Sequence, residues 1–268
     1  MYRDRTVAVV MPVHNEEAHV ERAIKRVPNF VDIIVAVDDG STDDTWAVLS
    51  RIVDGRLAQL RHRRNRGVGA ATKTGYNHCL NTGADLIAVM DGDGQMDGRD
   101  LHHLLERALS GADYVKGNRF LDSRSIGKMP RIRYIGNRFF SWLARRAASF
   151  EDNLDAHCGY TVIQRQALQR LSLEELYDRY GFPTEMFFAA RRAGLDVQAV
   201  PVRTVYGEEV SGINPLTVIP AIFFLIARNY CRRRFFASLR GRRHPALADV
   251  AHQNGVGSCL PQGYHIEA

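Results

Sequence analysis

Ala88-Val-Met-Asp-Gly-Asp-Gly-Gln-Met-Asp97 closes an apolar run, Leu86–Met90, that reads as a buried strand, and then breaks into acid and glycine. Asp91, Asp93 and Asp97 follow the run, with Gly92 and Gly94 among them. Two carboxylates one residue apart in a glycine-loosened turn offer hard oxygen ligands to Mg²⁺ or Mn²⁺, above all where a substrate diphosphate completes the shell. The competing reading is an ordinary acidic turn, since Asp-Gly is common in loops. The neighbouring segments weigh between the two.

Upstream, Thr6–Met11 is a continuous β-branched run, a strand buried on both faces, which Pro12 is expected to end. Val13-His-Asn-Glu-Glu17 then opens a helix expected to run to about Val27, closed by Pro28. Asp32–Asp38 is a second strand, and Ser41 or Thr42 is placed to cap the helix carrying Trp46, Val48, Leu49 and Ile52. Leu57–Arg61 is a weaker strand, and Arg64-Asn-Arg-Gly-Val-Gly69 leads into a helix over Ala70–Asn81. Downstream come a helix over Asp100–Ser110 and a strand at Tyr114–Gly117. Strand and helix alternate with short links, which predicts an α/β domain with a mostly parallel sheet. Ligands in such sheets bind beyond the carboxyl ends of the strands. Pro12–Glu16, Asp38–Asp43 and Asp91–Asp97 all fall at such ends, and that convergence favours a site.

After Asn118 the pattern becomes basic and apolar, with a helix expected over Arg138–Ala148. A strand at Cys158–Gln164, helices at Ala167–Leu173 and Met186–Ala193, and a strand at Val197–Val202 follow. Pro215–Ala227 is almost purely apolar, too short to span a bilayer, and runs into the Arg/aromatic segment Arg228–Phe236. Such a segment suits a membrane interface, and equally a core helix with a solvated basic end. From Ser238 the chain reads as a disordered tail. The expected organisation is a catalytic domain over 1–212, the apolar/basic helix over 213–237 and the tail over 238–268.

The chain has 268 residues and a net charge of +6, concentrated in two segments. Arg124–Arg146 and Arg228–Arg243 each hold seven basic residues and no acid. Set aside, they leave a mildly acidic body. Cationic stretches of this kind meet phosphates, anionic lipid surfaces or nucleic acid. The four cysteines are dispersed, without metal-ligand spacing, as in a chain with reduced thiols. The N-terminus has no signal-peptide pattern, so a cytoplasmic protein is expected, peripheral on the inner membrane face if the apolar helix docks there.

The ordered set VVMPVHNEE, VDDGSTDDT, NRGVGAATKTGY and MDGDGQMD resembles the GT-A glycosyltransferases of family 2. The likeness is nearest to the branch of dolichyl-phosphate mannose synthases and bacterial polyprenyl-phosphate sugar transferases, and runs from about Val7 to Ser211. It implies a GT-A fold with a C-terminal amphipathic helix, and an inverting hexosyl or N-acetylhexosaminyl transfer from a GDP- or UDP-linked donor. By that resemblance Pro12, Asn15 and Glu16 line the nucleotide pocket, and Asp39 contacts the base or ribose. Lys73 lies near the donor, although a solvent-facing helix lysine reads as well. Asp91 and Asp93 are the DxD pair for ribose and metal, and Gln95 helps hold the metal. Arg119 sits on the phosphates, and Arg131 and Arg133 lie in a flexible loop with further phosphate contacts. Asp155 lies near the sugar, with Cys158 where the family has serine, and Glu185 faces sugar or acceptor. Arg203 and Tyr206-Gly-Glu-Glu209 depart from the family's R-x-Y-G-E-S-K by an extra residue and the missing Ser-Lys, which puts the acceptor-phosphate contacts in question.

The chemistry accounts for these residue types. A nucleotide sugar reacts by releasing a diphosphate, whose growing charge a divalent ion and arginines stabilise. The oxocarbenium-like state is served by a nearby carboxylate, Asp155 or Glu185. A hydroxyl acceptor needs a base, for which Glu185 is the candidate; a lipid phosphate is already anionic and needs cationic guides. His14 and His157 read as lining or hydrogen-bonded residues, not metal ligands. A nucleic-acid-binding protein using Arg228–Phe236 would leave the acidic clusters without a use, so no nucleic-acid partner is expected. A sugar nucleotidyltransferase would carry a Gly-rich loop after the first strand, where Pro12–Glu16 stands. Donor sugar, acceptor class and oligomeric state stay open.

Overall fold

The apolar runs before each polar cluster are strands, as their β-branched composition predicts. A computed structural model describes residues 1–204 and 215–241. It contains β1 (Val7–Val13), β2 (Ile33–Asp38), β3 (Leu57–Arg61) and β4 (Leu86–Val89). With β5 (Tyr114–Asn118), β6 (Thr161–Gln164) and β7 (Val197–Pro201) they form one sheet in the order β3-β2-β1-β4-β6-β5-β7. β6 is antiparallel to both of its neighbours, and the other pairings are parallel.

The helices are α1 (Val20–Lys25), α2 (Thr45–Arg51), α3 (Val68–Thr82), α4 (Leu101–Leu109), α5 (Ser123–Lys128), α6 (Arg131–Ala148), α7 (Arg165–Gln169), α8 (Phe182–Arg192) and α9 (Pro215–Gly241). Alternate strand residues feed two cores. Ala8, Val10, Val35 and Val37 face α3, α6, α8 and the start of α9, while Val7, Val9, Met11 and Ala36 face α1, α2 and α4. This double coverage explains why β1 and β2 read as unbroken apolar runs. α3 seats closely on β1 at Gly75, where an added Cβ would lie 2.2 Å from Val10 Cγ1.

Four expectations change. β1 does not stop at Pro12 but pairs on to Val13 opposite Asp38. The Pro12 carbonyl accepts from Gly92, on the β4 side, where the regular ladder has already ended at Val10. The N–H that proline lacks would point to that same side, so no ladder bond is lost. The first helix is much shorter than expected and begins at Val20, because Asn15 takes a positive φ of 55° and His14–Glu17 form a loop. Ser41 and Thr42 do not cap α2. Asp43 accepts from the Thr45 N–H, and the Ser41 and Thr45 hydroxyls accept instead from the backbone of Asn15 and Glu16. Finally α6 starts at Arg131, so Arg131 and Arg133 lie in its first turn and not in a loop.

Met1–Asn229 forms one compact unit that includes the start of α9. There Ile222, Leu225 and Ile226 are buried while Ile219, Phe223 and Phe224 are exposed. Residues 238–241 are helical, and the rest of the expected tail and the Tyr206–Glu209 stretch lie outside the described residues. No helix among the described residues is long and apolar enough to cross a membrane.

Candidate active site

The carboxyl ends of β1, β2 and β4 meet where strand order reverses, between β1 and β4, the place where open α/β sheets take ligands. A wide cleft of about 620 Å³ lies there, lined by Pro12, His14, Glu16, Asp39, Asp91 and Asp93 among others. A narrower pocket of about 220 Å³ shares Val68, Asp91, Asp93 and Tyr180 with it and adds Gln95, Arg119, His157, Thr184 and Arg203. The Asp91/Asp93 pair therefore stands at the junction of two chambers.

The turn that carries the pair is held from several sides. The Asp93 carboxylate accepts from the Gln95 N–H at 2.8 Å, and Arg26 Nη1 donates to the Gly94 carbonyl at 2.9 Å. Gly94 has φ +71°, the left-handed conformation that glycine adopts without strain. Gly159 closes over the pair, since a Cβ there would lie 3.2 Å from Asp91 Oδ2. Burial first, and then the charge of Asp93, push Asp91 up to about 7, with Arg119 opposing and Glu16 adding. A divalent cation would relieve that crowding of negative charge, so the donor set fits Mg²⁺ or Mn²⁺. Among the described residues no group of three or more His, Cys, Asp or Glu is placed to hold a metal ion. Asp91 and Asp93 would thus supply a partial shell, as in Mg²⁺ sites that draw their remaining oxygens from substrate phosphates and water.

Asp39 lines the wide cleft but has structural duties as well. Its carboxylate accepts from Arg66 N at 2.9 Å, from Gly67 N at 2.6 Å, and lies 2.7 Å from His62 Nδ1. It fixes the loop before α3, on which Asn65 and Gly67 reach the cleft.

Under the narrow pocket lies a buried charged layer. Arg119 Nε and Nη2 donate to the two oxygens of Asp155 at 2.6 and 3.1 Å. Burial alone would raise Asp155; the guanidinium charge and its hydrogen bonds outweigh that and hold the carboxyl below its usual range. Asn118 sets the turn that presents Arg119, donating to the Asn153 carbonyl and accepting from Phe120 N. Lys116 is fully buried and donates to the carbonyls of Cys158 at 2.8 Å and Pro183 at 3.4 Å. It joins the two segments that wall the pocket. Burial pushes Lys116 down to about 8, His157 down to about 4 and the Cys158 thiol up to about 11. The His157 Nδ1 lies 2.9 Å from the Thr184 hydroxyl.

Pro12, Glu16, Asp39, Asp91 and Asp93 are brought together in the wide cleft, and Gln95 and Arg119 in the narrow pocket. Other predicted residues stand elsewhere. Asn15 is exposed and its side chain accepts from Thr42 N, which staples the first loop to the second. Lys73 neither faces solvent nor lines the cleft, because it pairs with Asp178 at 2.6 Å and donates to the Leu176 carbonyl. Asp155 lies beneath the pocket as the counter-ion of Arg119 and is not among its lining residues. Arg131 is exposed on α6. Glu185 is fully buried, accepts from Asn229 Nδ2 at 2.9 Å and lies 2.8 Å from Arg228, so it ties α8 to α9. Arg203 does line the narrow pocket, held there as its backbone and guanidinium donate to Asp100. Lys116 escaped the sequence reading, although a lysine inside the apolar run Tyr114–Gly117 was a signal. Tyr177 and Arg179, which line the cleft from the loop before α8, carried no periodicity that marks them.

The family description for glycosyl transferase family 2 matches residues 8–172. The chain belongs to glycosyl transferase family 2. As a member it is a nucleotide-sugar glycosyltransferase with a GT-A-like fold. This family 2 transferase is 26% identical over 221 residues to a UDP-N-acetylglucosamine–dolichyl-phosphate N-acetylglucosaminyltransferase of Methanococcus voltae, covering 76% of this chain and 88% of the relative. It is 26% identical over 216 residues to a polyprenol monophosphomannose synthase of Mycolicibacterium smegmatis, covering 78% and 80%. Among solved structures it is similar to glucosyl-3-phosphoglycerate synthase of Mycobacterium tuberculosis in complex with Mn²⁺, UDP and glucosyl-3-phosphoglycerate. That match has a TM-score of 0.62 at 20% identity and covers 86% and 80%.

Proposed function

We propose that this transferase moves a hexosyl or N-acetylhexosaminyl unit from a GDP- or UDP-linked donor to a polyprenyl phosphate, with inversion, at the cytoplasmic face of a membrane. One observation carries the choice of acceptor. Among the described residues that line the narrow pocket, the carboxylates are Asp91 and Asp93, the pair suited to a metal. Glu185, the candidate base for a hydroxyl acceptor, is sealed under Arg228 and Asn229. His157, depressed to about 4 by burial, is a weak base at neutral pH. Among the described residues a hydroxyl would thus find no positioned proton acceptor, whereas a phosphate oxygen attacks without losing a proton. The two relatives named for dolichyl phosphate and for polyprenol monophosphomannose support the same acceptor class.

In this reading the wide cleft takes the nucleoside and the junction takes the diphosphate. The sugar and the acceptor phosphate share the narrow pocket. A phosphate oxygen attacks C1 from the face opposite the diphosphate, the C1–O bond breaks, and the nucleoside diphosphate leaves with the electron pair. Asp91 and Asp93, with Gln95 beside them, would hold Mg²⁺ or Mn²⁺, which when bound neutralises charge on the leaving diphosphate. Arg119 adds a fixed cation, kept in place by Asp155, so little reorganisation accompanies the charge shift.

The test is transfer by the purified chain with Mg²⁺ or Mn²⁺ and a panel of UDP- and GDP-sugars, offered either polyprenyl phosphate or soluble glycans. Asp93→Asn should lower kcat by about 10²–10³-fold or more, on the scale of losing one charge-stabilising group. Full activity in that variant would remove the metal reading. Transfer to glycan hydroxyls alone would remove the lipid-phosphate reading.

A further inference from the structure

We infer that α6 is a membrane-docking helix, seating Ile132, Ile135, Phe139 and Trp142 in an anionic lipid surface. The inference rests on the lipid-phosphate reading and adds to it the face that meets the bilayer. These side chains are 86%, 66%, 50% and 49% exposed. Their spacing places them on one helical stripe. The opposite face is already satisfied, with Ser141, Ala144, Ala147 and Ala148 buried. Single exposed apolar residues are ordinary on any surface, but a contiguous row of four large ones on a single helix marks an interaction face.

Charge selects the partner. Arg131, Arg138 and Arg146 are exposed on the same helix. From Ser123 to Phe150 the sequence has no Asp or Glu. A helix with an apolar stripe bearing Trp and Phe, arginines around it and no acid suits the headgroup region of an anionic bilayer. Two copies of the chain meeting through α6 would oppose arginine to arginine. A polynucleotide would pair with the arginines but give the two isoleucines no apolar medium.

The position of α6 gives the docking a use. Its inner side packs on the wall of the narrow pocket. The Ser141 hydroxyl accepts from Ala156 N at 3.1 Å, and the Phe140 ring stands edge-on to His157 with centroids 6.2 Å apart. His157 lines the pocket. Burying the outer stripe therefore brings the headgroups to about one helix diameter, roughly 10 Å, from the pocket wall. A lipid phosphate lies at that level.

The full chain is sedimented with phosphatidylcholine vesicles containing about one third phosphatidylglycerol, and with pure phosphatidylcholine, without polyprenyl phosphate. The wild type should partition to the anionic vesicles and be released by salt. Phe139→Ser with Trp142→Ser should weaken partition at least about tenfold, because both side chains forfeit their apolar burial in the lipid. Both positions are about half exposed, and an unchanged far-UV circular dichroism spectrum checks that the double variant keeps its fold. In a Trp46→Phe background Trp142 is the sole tryptophan, and brominated lipids should quench its fluorescence. Unchanged sedimentation of the double variant, or an unquenched Trp142, would overturn the inference. So would a dimer that the double variant splits while vesicle binding stays intact. Activity toward a short-chain, water-soluble polyprenyl phosphate separates this from the acceptor reading. Absence of that transfer counts against the acceptor, whereas the double variant should retain it.

Discussion

Arg119 and Asp155 show how single residues set the character of the narrow pocket. Asp155 has no solvent exposure and stays ionised because the guanidinium lies against both of its oxygens. Two residues on, burial of His157 outweighs the opposing charge of Asp155 and leaves the ring neutral, depressed from 6.5 to about 4. The consequence is a pH dependence of stability. Between about 6.5 and about 4 the unfolded chain takes up a proton on this histidine that the folded chain refuses. At this site the unfolded state binds more protons, so the stability contributed by His157 falls as pH drops through that window. Asp155, depressed below its usual 3.8, adds its loss only as pH falls below that value. Asp91, raised to about 7, binds its proton in the folded chain over the same window and acts in the opposite direction, so the histidine contribution is read by difference: in urea unfolding from pH 7 to 4.5, His157→Gln should lose less stability, or gain more, than the wild type as pH falls. Identical pH profiles for the two proteins would remove His157 from the pH dependence.

At the level of elements, α8 and α9 show where chemistry and architecture were confused in the sequence. Glu185 opens a helix beside the pocket and has the right residue type for a base. Yet Phe182, Glu185 and Met186 are on the buried side of α8, and the arginine nearest Glu185, at 2.8 Å against 3.8 Å for Arg192 of the same helix, comes from more than forty positions away, at Arg228. Local pattern cannot supply that partner, so the carboxylate read as catalytic. Lys73 was misread for the same reason, since Asp178 lies on a distant loop. By contrast Asp91, Asp93 and Glu16 were legible because strand-end position follows from the apolar run before them, whatever the strand order. Glu185→Gln should lower stability by about 1–3 kcal/mol, the usual effect of removing the charged partner of a part-buried group, here Arg228. It should leave kcat within about threefold in the folded protein, because the carboxylate is outside both pocket linings. A loss of kcat beyond about a hundredfold at unchanged stability would return Glu185 to the role of base.

Across the whole molecule, alternating strands and helices fixed the class of fold, but β6 between β4 and β5 could not be read from the chain. Its antiparallel pairing depends on the long excursion from Arg119 to Tyr160, whose path no periodicity records. That excursion returns Cys158 and Gly159 against the end of β4 and completes the narrow pocket. The wide cleft is likewise a whole-molecule object, since β1, β2 and β4, the loop before α3, and the segment before α8 all contribute to it. A ligand that bridges so many segments binds the folded chain and not the unfolded one, and therefore raises its unfolding midpoint. At a hundredfold excess over Kd the gain is about 2.7 kcal/mol. For a unit the size of Met1–Asn229 that corresponds to a rise of roughly 5–10 °C. UDP and GDP, each with and without Mn²⁺, form the decisive set. The nucleotide that shifts the midpoint identifies the donor base. The part of the shift that requires Mn²⁺ should vanish in Asp93→Asn, while the part carried by nucleoside contacts in the wide cleft remains. Equal shifts with and without the metal in the wild type would detach the Asp91/Asp93 pair from the diphosphate and leave it to order the turn after β4.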